Sequence, residues 1–181
     1  MAADVSAQLV TRGPTEVAAF VAGCAERVAQ LFTGLRGDDP ERADDVDTYL
    51  RGLDLLWDVS APSTEFDEVA AAMARWPELD TEQEPLVEDD DIDSFYAVLA
   101  LWHAVSYRTG GDVAEAQACA HAVWTAMGLL DENLPDSALA EAELEQQRQA
   151  LANTVSPPEL LRRRAEDQRV SRERLLVAHG S

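Results

Sequence analysis

Residues 95–131, "FYAVLALWHAVSYRTGGDVAEAQACAHAVWTAMGLLD", determine the fold class because they predict two long helices joined by a short link. The first helix should end at Gly110 and Gly111, and Asp112 and Glu115 make a capping-box-like start to the second. Four residues, "TGGD", can join only antiparallel neighbours, so the stretch predicts a helical hairpin. The apolar residues that recur at helical spacing before the link are Phe95, Val98, Leu99, Trp102 and Val105.

Prolines, glycines and capping residues divide the rest of the chain into five more helical segments. The sequence shows neither the apolar–polar alternation of a half-buried strand nor an Asn-Gly or Asp-Gly hairpin signal. It therefore predicts an all-α protein: a single-domain antiparallel helical bundle of about seven helices over residues 1–181, with an arginine-rich C-terminal helix at about 157–178. The other segments begin near Thr15, Pro40, Ser63, residue 137 and Pro157.

The charge of the chain is strongly negative. It has 35 acidic residues and 14 arginines but no lysine, which gives a formal net charge of −21. Such a surface repels nucleic-acid phosphates and anionic lipids and attracts basic proteins. Adaptation to high salt and a GC-rich genome are alternative explanations of the same composition. Since no apolar run is long enough to span a membrane and no signal-peptide pattern is present, the sequence predicts a cytoplasmic protein.

Five acids crowd into residues 88–93, immediately before an apolar run. A calcium loop starting at Asp89 would need glycine and glutamate where this chain has Ser94 and Ala100, so that motif fails. Acids at this place complement the positive end of the helix dipole and cap its free N–H groups. A docking surface for a basic partner and a divalent-metal site are the alternatives. The residues assigned to the partner-binding cluster are Glu88, Asp89, Asp90, Asp91 and Asp93.

Carboxylates at helical spacing are also typical of all-α hydrolases that hold magnesium. Asp54, Asp58, Glu65 and Glu68 keep this spacing and would have to converge in one pocket. With 35 acids in the chain such pairs arise by chance, and a solvated helix face is the simpler interpretation. The sequence therefore predicts no catalytic residue, no metal site and no cofactor.

Asp54 lies between core residues in "LDLLWD" and is predicted to be partly buried. A buried carboxylate needs a cation, and Arg27 on the first long helix is the predicted partner in a structural ion pair. Cys24 and Cys119 lie in alanine-rich helical sequence and are predicted to be reduced, buried thiols. His103 could reach Cys119 across the hairpin, but neither an orienting carboxylate nor an oxyanion loop accompanies them.

Three segments together show a recognisable order of motifs: "AAFVAGCAERV" (18–28), "YLRGLDLLWD" (49–58) and the hairpin at 95–131. In these segments the chain resembles the YjaG-like family of bacterial proteins. The resemblance implies an all-helical single domain. It implies no catalytic residue, because the family has no established activity. The most specific elements are Phe20, Ala22, Glu26-Arg27, Leu53-Asp54 and Trp57.

A compact acidic domain without a recognisable active site predicts a soluble helical interaction protein. It would bind a basic protein partner, for example as an immunity or inhibitor protein. A metal-dependent all-α hydrolase is the alternative from another class. A structural homo-oligomer is the third, in which the arginine-rich last helix packs on the acidic body of a neighbouring copy.

Overall fold

The chain folds into nine α-helical segments, with no strand, within residues 3–80, 89–132, 134, 138–153 and 155–180, which the computed structural model describes. The all-α prediction is confirmed. Ala29 alone separates α2 from α3, so these two segments form nearly one rod. The segments are α1 (Ala3–Thr11), α2 (Pro14–Val28), α3 (Gln30–Thr33), α4 (Ala43–Trp57), α5 (Asp67–Met73), α6 (Asp89–Gly110), α7 (Val113–Glu132), α8 (Leu139–Ala152) and α9 (Pro157–Ala178).

The predicted hairpin of α6 and α7 makes the most extensive helix–helix contact in the structure. Gly111 ends α6 with φ of 73°, a backbone conformation that glycine adopts without the steric cost of a Cβ. Asp112 then begins the next helix, because its Oδ1 accepts a hydrogen bond from the backbone N–H of Ala114 at 2.9 Å. The link "TGGD" therefore turns the chain as its sequence predicts.

Helix α2 lies at the centre of the bundle. Every residue from Val17 to Val28 is buried, and the helix contacts α4, α6, α7, α8 and α9. A helix that is apolar on all sides is expected to be buried in this way, and its alanines let neighbours approach closely. Glu26 and Arg27 are the charged exceptions on this helix, and both are buried.

The N-terminal helix α1 is missing from the sequence-based prediction. It packs on α7 and α8 through Val5 and Leu9, which are fully buried. Two apolar residues four positions apart are too short a pattern to distinguish a nine-residue helix from a loop. Val10 weakens the pattern further, because it is 67% exposed.

Candidate functional site

A buried polar layer lies where α2, α8 and α9 meet. The side of α9 that faces the body is mostly polar, and so is the corresponding side of α8. These residues recur at helical spacing, as core residues do, although most of them can form hydrogen bonds or carry charge. The buried residues of α9 are Arg163, Asp167, Val170, Ser171 and Arg174, and those of α8 are Glu143, Gln147 and Leu151.

Arg27 is the centre of this layer and is 1% exposed. Its Nε and Nη2 donate to the two carboxylate oxygens of Glu143 at 2.9 and 2.7 Å, a bidentate pair. Its Nη1 donates to Oδ1 of Asp167 at 3.2 Å, and its Nη2 also lies 3.4 Å from the sulfur of Cys24. One guanidinium therefore ties α2 to both α8 and α9 through charge-assisted hydrogen bonds.

Glu143 is fully buried and accepts two more hydrogen bonds. Arg174 donates to its Oε2 at 2.6 Å, and Gln147 donates to its Oε1 at 2.8 Å. Burial alone would raise the pKa of Glu143, but Arg27 and Arg174 outweigh burial and lower it to about 2. Glu143 is therefore ionised at neutral pH, with its charge balanced inside the protein.

Gly23 allows α9 to approach α2 closely at this layer. A Cβ at this position would lie 2.8 Å from Oδ2 of Asp167 and 3.2 Å from Nη1 of Arg27. A larger residue would therefore push the Asp167 carboxylate away from its partner. Burial raises the pKa of Asp167, and Arg27 in part opposes that effect.

A polar cavity of about 140 Å³ opens at the edge of the layer, between α8 and α9. Arg163 lines it and is 7% exposed. Both terminal nitrogens of its guanidinium are buried, and neither has a hydrogen-bond partner among the residues that the structure describes. The other lining residues are Arg27, Gln146, Gln149, Ala150, Asn153, Arg162, Glu166 and Asp167.

The predicted ion pair between Arg27 and Asp54 is not formed. Arg27 binds Glu143 and Asp167, whereas Asp54 is exposed and binds Arg164 of α9. Asp54 lies on the outer side of α4, so the core residues beside it in sequence do not bury it.

Glu26, next to Arg27 in sequence, is a buried carboxylate that contacts α4. Its Oε2 accepts a hydrogen bond from Nε1 of Trp57 at 2.8 Å and lies 3.5 Å from Nε of Arg164. Burial raises the pKa of Glu26, and the hydrogen bond from Trp57 opposes that rise. Arg164 therefore contacts a buried acid of α2 and the exposed Asp54 of α4 together.

The predicted partner-binding cluster is only partly within the structure. Glu88 lies outside the described residues, and so do the side chains of Asp89, Asp90 and Asp91. These three aspartates form the first turn of α6, where acids complement the helix dipole. Asp93 is 6% exposed, whereas a docking residue is expected to be exposed. The assignment of the cluster to a docking surface stays a prediction.

The four carboxylates of the hydrolase alternative have separate surroundings. Asp54 binds Arg164, Asp58 accepts hydrogen bonds from Ser60, and Glu68 binds Arg51. All four, including Glu65, are exposed. Across the described ranges, no group of three or more potential ligands from His, Cys, Asp and Glu could hold a metal ion.

No hydrogen bond joins His103 and Cys119 in the described part of the chain, and Sγ of Cys119 donates to the carbonyl oxygen of Val21 at 3.9 Å. Nδ1 of His103 lies 2.7 Å from a carboxylate oxygen of Glu115, across the start of the hairpin. Cys24 and Cys119 are buried and unbridged, as predicted. Burial, followed by the neighbouring Cys24, raises the pKa of Cys119 well above its ordinary value, so this thiol is protonated at neutral pH.

Residues 37–80, which we call the acidic segment, carry about half of the net charge of −21. This segment holds thirteen acids and three arginines, a net charge of −10. Aromatic stacking anchors it to the core, because Phe32 of α3 stacks on Tyr49 and Trp76 at ring-centre distances of 5.1 and 5.3 Å. Its exposed acids are Asp38, Asp39, Glu41, Asp44, Asp47, Asp54, Asp58, Glu65, Asp67, Glu68 and Asp80.

Four of the six arginines of α9 form ion pairs within their own chain. Arg174 and Arg164 contact buried acids, Arg162 binds Glu159, and Arg169 binds acids of its own helix. The homo-oligomer alternative assigned these arginines to the acidic body of a neighbouring copy. The structure packs α9 on α2 and α3 of the same chain, and contact of its exposed side with another copy stays a prediction.

Comparison of the chain with models of known protein families, with curated proteins and with solved structures finds no match. The resemblance to the YjaG-like family therefore stays a prediction from sequence motifs. Among the helices that the structure describes, none combines the length and the apolar character needed to cross a bilayer.

Proposed function

We propose that this protein binds a basic protein partner through the acidic segment. The observation that carries the proposal is the eleven exposed acids of residues 37–80, which share that surface with only two exposed arginines, Arg51 and Arg75. A field of one sign attracts a basic surface and raises the association rate. The same field repels nucleic-acid phosphates, so a protein is the favoured class of partner.

The distribution of ion pairs supports this interpretation. On α9, arginines and acids neutralise one another along the helix. In the acidic segment, arginines pair with Asp45, Glu78, Glu68 and Asp54, which account for a minority of its acids. Exposed pairs of this kind contribute little energy, whereas the remaining charge acts on any approaching protein.

An immunity or inhibitor protein for a basic toxin or nuclease is the concrete form of this function. Such a protein needs a rigid acidic surface that a basic active-site cleft recognises. Arg42 stiffens the acidic segment, because its guanidinium donates to both carboxylate oxygens of Glu78 at 2.8 and 2.9 Å and lies over the ring of Phe32. Complementary charge on a rigid scaffold favours fast and specific binding.

The test is capture of a basic partner, followed by binding kinetics at several salt concentrations. The triple variant Asp44→Asn, Asp47→Asn and Glu65→Gln removes three exposed charges of the acidic segment. We expect it to lower the association rate constant and to weaken the salt dependence of that constant.

The matched control removes three exposed charges elsewhere, with Glu132→Gln, Glu141→Gln and Glu145→Gln on α7 and α8. It should bind at nearly the unaltered rate. If both triple variants slow association equally, the acidic segment is not the docking surface and only net charge matters. A captured partner whose binding is insensitive to salt would also contradict the proposal.

A further inference from the structure

We propose that the cavity between α8 and α9 is a binding site for a small oxyanion, phosphate or carboxylate in kind, with Arg163 as its main ligand. This inference is independent of the acidic segment and of the proposed partner. None of the residues that line the cavity belongs to residues 37–80.

The guanidinium of Arg163 is the first observation behind the proposal. Its Nη1 and Nη2 are buried without a hydrogen-bond partner in the described part of the chain, although the residue lines a cavity of about 140 Å³. Buried donors in proteins are nearly always paired, because an unpaired charged donor is costly. An acceptor in the cavity, which these nitrogens would reach by a rotation of the Arg163 side chain, would remove that cost.

The balance of charge around the cavity points to an anion. The buried acids beside the cavity, Glu143, Asp167 and Glu26, already contact arginines other than Arg163. The exposed acid Glu166 also lines the cavity, and it binds Arg169. The terminal nitrogens of Arg163 bind none of these acids, so an anion that enters the cavity would balance its charge.

The shape and lining of the cavity favour a small oxyanion. A planar guanidinium presents two parallel donors that match two oxygens of a carboxylate or phosphate. Arg162 stands at the edge with its side chain 64% exposed, and Gln146, whose Oε1 accepts from Arg174, retains its amide nitrogen as a donor. A cavity of about 150 Å³ can hold benzene, so the space here is sufficient for phosphate.

The experiment is isothermal titration calorimetry of the full chain. Inorganic phosphate and acetate are titrated separately, and chloride keeps the ionic strength constant. We expect saturable binding at one site. Arg163→Met should weaken the binding by about tenfold or more, the effect of losing one charge-assisted hydrogen bond. Tighter binding of phosphate or of acetate then identifies which oxyanion the site prefers.

Arg172→Gln is the matched control, because Arg172 is an exposed arginine of the same helix outside the cavity. It should bind phosphate as the unaltered protein does. Arg162→Gln changes only an exposed residue at the mouth and should weaken binding without affecting folding, so it tests the site even if Arg163→Met does not fold.

Three results would overturn the proposal. The first is that neither anion shows saturable binding, and the second is that Arg172→Gln weakens binding as much as Arg163→Met. The third is that Arg163→Met lowers stability without phosphate while phosphate binding is unchanged, which would assign Arg163 a structural role. The proposal holds that the guanidinium of Arg163 is unpaired when no ligand is bound. Its removal in Arg163→Met should therefore leave the ligand-free protein as stable as before or more stable.

Discussion

Replacement of Glu143 by glutamine tests the buried polar layer most severely. The side chain keeps its size, but the negative charge that balances Arg27 and Arg174 is removed. Asp167 then remains as the only buried anion of the layer. Removing one partner of a buried pair costs about 3–5 kcal/mol, because the remaining charge is left buried and uncompensated.

The pKa of Glu143 gives a second route to the same magnitude. Its lowering from an ordinary value of 4.5 to about 2 corresponds to about 3 kcal/mol of stabilisation of the ionised form. The two routes agree, and either amount is a large part of the 5–15 kcal/mol that typically stabilises a domain. The midpoint of thermal unfolding should fall by roughly 6–20 °C.

The assay is denaturant unfolding followed by circular dichroism, with Glu145→Gln as the matched control. Glu145 lies on the same helix with its side chain 57% exposed, so its replacement should change stability by less than about 0.5 kcal/mol. The difference between the unaltered protein and Glu143→Gln should be complete above pH 4.5. It should shrink as the pH falls towards 2, because the folded-state pKa is lowered and Glu143 itself becomes protonated in that range.

If Glu143→Gln were no less stable than Glu145→Gln, the reasoning would be refuted. A stability difference that did not depend on pH would also contradict it. In that case the loss would reflect altered packing around residue 143 and not the loss of a buried charge.

Two further predictions concern the neighbourhood of this layer. Gly23→Ala should destabilise the protein by about 1–3 kcal/mol, because the Cβ of the new alanine would lie 2.8 Å from Oδ2 of Asp167. Gly128→Ala should stabilise the protein by about 0.5–1 kcal/mol in the same denaturation assay, because nothing lies within 4 Å of the new Cβ. Cys24 and Cys119 are both buried, so a thiol reagent should label neither in the folded protein and both after unfolding; rapid labelling under native conditions would show that this part of the core opens.

The helical hairpin and the central helix could be predicted from the sequence because their signals are local. Gly110, Gly111 and the capping residues lie next to one another, and apolar spacing in residues 95–131 needs no knowledge of distant parts of the chain. Helix α1 could not be predicted in this way, because two buried residues do not establish a period.

The partners of Arg27 could not be predicted from sequence. A buried arginine needs an acid, but Glu143 and Asp167 lie 116 and 140 positions away, and the chain has 35 acids. Apolar residues flank Asp54 and suggest that it is buried, yet neighbours in a helix point in different directions and leave it exposed.

Apolar periodicity does not reveal the polar faces of α8 and α9, because their buried residues are mostly polar. The signal is nevertheless present. Glu143, Gln147 and Leu151 recur every four residues in α8, and Arg163, Asp167, Ser171 and Arg174 keep helical spacing in α9. A search for charged residues at core spacing would have found the layer, although not the cavity beside Arg163.

A carbon-13 NMR titration of the glutamate side chains tests the buried layer most directly. The account predicts that the carboxyl of Glu143 remains ionised for as long as the protein stays folded, because its pKa is about 2. If the carboxyl of Glu143 titrated near the ordinary glutamate value of 4.5 in the folded protein, no buried network of arginines would hold it, and the central claim would be contradicted.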